Sequence, residues 1–166
     1  MTATSTCIEI NGQEIGLGRP CYIVAEMSAN HGGDFGKAEE IVIQAAECGA
    51  NAVKLQTYRA DTITLNSSKS DFLLPSGNPW EEHNKLYSLY KKAYMPWEWH
   101  QDLMQLGKRI GIDVFSSPFD HSAVTLLESL NVPAYKIASP EITDIPLIKK
   151  VAETGKPVIL STGLAR

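Results

Sequence analysis

Residues 113–139 read DVFSSPFDHSAVTLLESLNVPAYKIAS. The run DVFSS is short and apolar at Val114 and Phe115, the proportions of a buried strand. HSAVTLLESL (121–130) reads as a helix, and AYKIAS (134–139) as a second short strand. A parallel pair needs such a crossover, usually a helix, so two strands joined through one are placed to pair in parallel. This segment therefore sets the architecture, and the chain on either side repeats it.

Towards the C-terminus, Asp144 stands as N-cap two residues before Pro146 and starts a helix that Gly155 closes, followed by the strand PVILST (157–162). Towards the N-terminus, CYIVA (21–25) and AVKLQ (52–56) read as strands. They flank KAEEIVIQAAECGA (37–50), whose Ile41, Ala45 and Cys48 recur at helical spacing and whose Gly49 occupies the C′ position. A longer excursion, 57–95, holds a polar loop and a helix around LYSLYKKAY. Pro96 then opens PWEWHQDLMQLGKRI, which Gly111 ends. Ahead of all this, EINGQEIGL (8–16) places Asn11-Gly12 between alternating apolar residues, a type I′ hairpin signal.

Five short, non-alternating strands separated by helices describe a parallel sheet covered on both faces. An open doubly wound sheet and a (β/α)8 TIM barrel are the two candidates. Neither GxGxxG nor a P-loop follows the first strand, which weighs against the nucleotide-binding open sheet. A barrel needs eight strands and about 250 residues. The expectation is therefore an α/β chain supplying the first five βα units of a TIM barrel after an N-terminal hairpin. Residues 1–166 would form the N-terminal portion, with the rest of the barrel and any further domain outside it.

The chain has 166 residues and a formal charge of −4. That acidity argues against nucleic acid or an anionic membrane as partner. Cys7, Cys21 and Cys48 show no metal-like spacing. Cys21 and Cys48 fall in apolar patterns and are expected as small core residues, which suggests a reducing compartment. Met1–Thr6 lacks the basic and apolar regions of a secretory leader, and no stretch has transmembrane length. The expected location is cytoplasmic.

Polar side chains gather where the strands end: Glu26; Lys54 with Gln56 and Thr57; Ser116 and Ser117; Lys136, Ser139 and Glu141; Ser161 and Thr162. The carboxyl ends of parallel strands share one rim, where ligands bind. Two lysines and several hydroxyls there suit a phosphate or carboxylate. Each feature has an ordinary explanation as well. A strand lysine can snorkel to water, Ser-Thr-Gly can be turn chemistry, and Glu26 can be a solvated loop carboxylate. His31 can be a structural histidine and Asn30-His31-Gly32-Gly33 a turn. Trp80, Tyr87, Tyr90, Tyr94, Trp97 and Trp99 can be helix packing, although a sugar can stack on such a ring.

The segments VAEMSANHGGD, AVKLQTY, FSSPFD, PAYKIASPEI and GKPVILSTG together resemble the sialic acid synthase family, in matching order and spacing from about Ile23 to Gly163. AEMSANH and LYKKAYMPWEW resemble its pseudaminic acid synthase branch. The resemblance implies a barrel, usually followed by an antifreeze-like domain that caps the partner's active site in a homodimer. It implies condensation of phosphoenolpyruvate with an amino-sugar aldehyde, here a 2,4-diacetamido-6-deoxy hexose, to a nine-carbon α-keto acid. N-acetylneuraminate or legionaminate synthesis is the alternative within the family.

By motif, Glu26 takes the place of the acidic residue that moves protons near the aldehyde. Lys54, Ser117, Lys136, Ser139 and Ser161 resemble the positions that hold phosphoenolpyruvate. Gln56 and Glu141 fall near the sugar or the reacting centre, and Asn78 is a weaker loop match. A divalent metal, Mn²⁺ in this family, is implied, with its two histidine ligands beyond the fifth strand; His31 is not the matching position, and no metal ligand is assigned here. Taken alone, the 166 residues are expected to be inactive and to expose an apolar sheet edge prone to association. Two rivals stand outside the family: a Schiff-base aldolase using Lys136 as nucleophile, and a half-barrel that acts only as a binding module.

Overall fold

The computed structural model describes residues 7–78, 80–163 and 165. Met1–Thr6, where a leader was sought, lie outside them. The chain opens with the antiparallel pair β1 (Ile8–Ile10) and β2 (Gln13–Ile15), joined by Asn11 and Gly12. Both turn residues have positive φ, 47° and 84°, as a type I′ hairpin requires.

Then come β3 (Val24–Glu26), α1 (Phe35–Glu47), β4 (Ala52–Thr57), α2 (Ala60–Ile63), α3 (Leu86–Ala93), α4 (Trp99–Ile110), β5 (Asp113–Pro118), α5 (His121–Ser129), β6 (Tyr135–Ile137), α6 (Ile145–Ala152) and β7 (Val158–Leu160). The sheet order is β3-β4-β5-β6-β7, and every neighbouring pair is parallel. Each strand lies beside the next in sequence. A doubly wound sheet reverses direction at a switch point, whereas a barrel never does. The strand order thus decides for the half-barrel.

Period-two alternation divides each strand between two layers. On the outer face, Val53, Leu55 and Val114 pack with Ala38, Val42, Leu103 and Leu106 of α1 and α4. Tyr135 and Ile137 pack with Leu127, Leu147 and Val151 of α5 and α6. On the inner face, Ala52, Phe115 and Ala134 form a separate cluster with Val24 and Ile159 against it. Ile10 of the hairpin, only 1% exposed, joins that inner cluster. The hairpin is tied to the strands' amino end by Asp113, whose carboxylate accepts from Asn11 Nδ2 and Tyr22 Oη, both at 2.7 Å.

Several boundaries move for local reasons. α1 starts at Phe35 because Asp34 Oδ1 caps Lys37 N at 3.1 Å. Residues 21–23 stand outside the ladder, where Asn51 holds Ile23 by backbone and side chain. α4 starts at Trp99 rather than at Pro96, and α6 ends at Ala152 before Gly155. The expectation for the cysteines fails: Cys21 and Cys48 are both exposed. Cys21 precedes the paired part of its strand, and Cys48 is the C-cap of α1, whose buried stripe is Ala38, Val42 and Ala45. No helix among the described residues is long and apolar enough to cross a membrane.

Candidate active site

Continuing the inner face past its apolar layer leads to polar residues on every strand. By parity with Val24, Ala52, Phe115 and Ile159, the inward positions nearer the carboxyl ends are Glu26, Lys54, Gln56, Ser117 and Ser161, with Lys136 following Ala134. Register brings them level: Glu26 pairs with Lys54 and Gln56 with Ser117. The polar layer above the apolar inner layer forms the floor of the candidate site.

Lys54 is 6% exposed, so it does not snorkel to solvent. Its Nζ lies 3.6 Å from Oε1 of Glu26, whose side chain is 64% exposed. An exposed carboxylate at that distance returns little of the cost of burying an ammonium group. Lys136 Nζ donates to Ser161 Oγ at 2.6 Å and to Ile137 O at 3.0 Å. Burial pushes the Lys136 ammonium down from its usual range and the Lys54 charge adds to this, while Glu26 and Glu141 pull the other way. The two lysines thus feel one another across β5.

Glu141 lies in the 3-10 turn after β6. Burial raises its carboxyl above the usual range, with Asp144 adding and the Lys136 charge opposing, and Oε2 has no hydrogen-bond partner. Ser117 Oγ is likewise buried without a partner. Ser139 Oγ closes against Gly163 in the segment after β7: a Cβ on Gly163 would stand 3.1 Å from it. Gln56 is half-buried and meets Ser28 Oγ at 3.5 Å. Asn78 instead shapes its own loop, its Oδ1 accepting from Trp80 N at 2.8 Å.

Two strand-end residues do not face this rim. Thr57 and Ser116 have outward parity and are buried with His100 of α4. Thr57 Oγ1 lies 2.8 Å from His100 Nε2 and 2.6 Å from Ser116 Oγ. Burial pushes the His100 imidazole down to about 4, so it is neutral at pH 7. Sequence reading passed over His100 because it occurs once in an aromatic-rich helix; its i to i+3 spacing to the buried Leu103 was the available signal.

His31 is also buried, and its Nδ1 accepts from Gly33 N at 3.0 Å, shaping the turn after β3. Trp99 packs edge-on against both His31 and Phe35. Tyr90 packs on Tyr58, and Arg59 lies 4.0 Å over Trp97. No group of three or more His, Cys, Asp or Glu among the described residues is placed to hold a metal ion. The divalent cation that the resemblance implies therefore has no complete ligand set within them.

A cavity of about 820 Å³ opens at the opposite, amino end of the strands, beside Asn11, Asn51, Asp113, Asn131 and Lys156. The polar groups of these residues are engaged. Lys156 Nζ donates to Asn131 Oδ1 and to Val132 O, both at 2.6 Å, and Asn51 Nδ2 donates to Gln13 at 3.1 Å. This end is held together as scaffold.

The NeuB family model matches residues 41–166. A pseudaminic acid synthase of Helicobacter pylori is 50% identical over 147 residues, 89% of this chain and 43% of that protein. An N,N'-diacetyllegionaminic acid synthase of Legionella pneumophila is 36% identical over 157 residues, 94% of this chain and 44% of that protein. A crystal structure of N-acetylneuraminic acid synthetase from Leptospira borgpetersenii serovar Hardjo-bovis, in complex with citrate, superposes with a TM-score of 0.81 at 31% identity. It covers 98% of this chain and 51% of the other. The chain spans less than half the length of the two curated relatives.

Proposed function

The chain belongs to the NeuB family, and on that premise we propose that it is the N-terminal part of a nonulosonic acid synthase barrel. The reaction is condensation of phosphoenolpyruvate with an amino-sugar aldehyde. The observation that carries this reading is the pair Lys54 and Lys136, inward-facing on β4 and β6, where burial and mutual repulsion press on Lys136. A phosphate or carboxylate placed between them would offset both effects.

Lys54 and Lys136 hold the anionic end of phosphoenolpyruvate, with the hydroxyls of Ser117, Ser139 and Ser161 around it. C3 of phosphoenolpyruvate then forms a bond to the aldehyde carbon while the aldehyde oxygen takes up a proton. The oxygen of a water adds at C2, the C–O bond to phosphate breaks, and inorganic phosphate leaves. Glu26 is the residue exposed enough to exchange protons with solvent and close enough to Lys54 to stay in register. Gln56 and the raised carboxyl of Glu141 face the sugar. Fixing both reactants on rigid strand ends supplies proximity, and the buried lysines stabilise developing charge.

The pseudaminic substrate, the altro isomer of the 2,4-diacetamido-6-deoxy hexose, is favoured by the higher identity to the Helicobacter pylori enzyme than to the legionaminic one. Phosphate release tests this, with Mn²⁺, phosphoenolpyruvate and each amino sugar supplied to this chain and to a chain extended over the remaining length of its relatives. Turnover of the extended chain alone, with preference for the 2,4-diacetamido-6-deoxy-altrose precursor over the legionaminic and N-acetylneuraminic ones, supports the proposal. No turnover with any sugar defeats it. The lowered Lys136 also suits imine chemistry; borohydride trapping with pyruvate labels Lys136 only if the protein is an aldolase.

A further inference from the structure

Three of the buried polar side chains, Thr57, Ser116 and His100, form one connected cluster on the outer face, in a layer whose core is otherwise alanine, valine, leucine, isoleucine and methionine. Apolar residues would fill that layer without the cost of desolvating two hydroxyls and an imidazole. Thr57 Oγ1 bonds both neighbours, while His100 Nδ1 is buried without a partner. What such a bonded chain adds is direction, because its bonds hold at only one relative placement of the groups that make them.

That placement concerns the inner face. Gln56 and Ser117 are register partners across β4 and β5, and Thr57 and Ser116 are their immediate neighbours, pointing the other way. Locking one pair from outside fixes the twist at which the other pair faces inward. The ends need such support. β5 pairs with β4 at six positions but meets β6 only at Ser116 and Tyr135, so little ladder restrains it on that side. His100, in the first turn of α4, anchors the pair to the helix above.

We propose that Thr57, Ser116 and His100 are positioning residues, which set the carboxyl ends of β4 and β5 so that Gln56 and the unpartnered Ser117 hydroxyl are aimed at the substrate. This rests on the reading of the inner face as the substrate site. The hydroxyl of Thr57 is the hub, since it meets both other groups.

Three variants of this chain separate positioning from packing. Thr57→Val removes the hub at constant volume, Thr57→Ser keeps it, and Val42→Ala loosens the same layer from α1 without touching the cluster. The readouts are the thermal midpoint and the NMR signal and ¹⁵N–¹H NOE of the Gln56 side-chain amide. Thr57→Val should shift the Gln56 signal and lower its NOE, Thr57→Ser should restore both, and Val42→Ala should lower the midpoint while leaving Gln56 in place. An unmoved Gln56 in Thr57→Val, or an equal response in Val42→Ala, overturns the proposal.

In the extended chain, Thr57→Val should cut kcat/KM for phosphoenolpyruvate by about tenfold or more, with Thr57→Ser near the parent. Unchanged kinetics alongside a loosened Gln56 also overturn it. Should the extended parent fail to turn over, it is the synthase reading that falls, and the Gln56 signal still decides the positioning role.

Discussion

Lys54 is the residue around which the molecule makes most sense. A lysine at 6% exposure, with one well-solvated carboxylate 3.6 Å away, is held at a cost that the free protein does not recover. Lys136 shares the same face and is pushed towards its neutral form. His100 contributes a second residue-scale effect, in stability. Its folded pKa, about 4, lies below the 6.5 of an unperturbed histidine, so the unfolded chain binds its proton first as pH falls. The stability that neutral His100 allows is present above about pH 6.5 and is lost on acidification towards pH 4, amounting to about 2 kcal/mol by pH 5. Urea unfolding at pH 7.5 and pH 5 should show this loss in the parent and a smaller one in His100→Gln; equal losses would remove His100 from the account.

Among the elements, α4 lies unusually close to β5. A Cβ on Gly107 would stand 2.5 Å from Val114 Cγ2 and 2.7 Å from the Ile112 carbonyl oxygen, and that oxygen belongs to backbone that cannot swing aside. Gly107→Ala should therefore destabilise by about 1–3 kcal/mol in urea melts, despite the better helix propensity of alanine. At the start of α5, Asp120 Oδ1 accepts from Ser122 N at 2.7 Å and from Ala123 N at 3.1 Å. Asp120→Ala should cost about 1–2 kcal/mol by the same measurement.

Elements were also where the sequence was most legible. Asn11-Gly12, Gly49, Gly111 and Asp144 each marked a boundary through backbone or capping chemistry, which is local and so visible in sequence. Cys21 and Cys48 misled because an apolar run does not show which of its residues the neighbouring strand reaches. For the site, Glu26, Lys54, Gln56, Ser117, Lys136 and Ser161 could be drawn together because strand ends in a parallel sheet share a rim. The split between Ser117 facing in and Ser116 facing out depends on register, and the partnership of Thr57 with His100 on tertiary packing, neither of which a single sequence displays.

The five parallel strands leave β3 and β7 as edges, with Ile23 just before β3 54% exposed and Leu160 in β7 44% exposed. Exposed apolar edges pair with further strands. Light scattering on this chain should show concentration-dependent association that Leu160→Lys weakens; a monomer at every concentration would speak against edge pairing. Scaffold and candidate site lie at opposite ends. The hairpin and the Asp113 bonds brace the amino end, and the charged inner layer occupies the other. On the proposed function, the lysines of that layer hold the phosphoenolpyruvate anion.

The most direct measurement is the KM of each substrate in the extended chain carrying Lys54→Met or Lys136→Met. The KM for phosphoenolpyruvate should rise by about 100-fold in each, the loss of a charge-assisted contact worth about 3 kcal/mol, while the KM for the amino sugar stays within about threefold. A rise confined to the sugar, or no change for phosphoenolpyruvate, would contradict the assignment of this face.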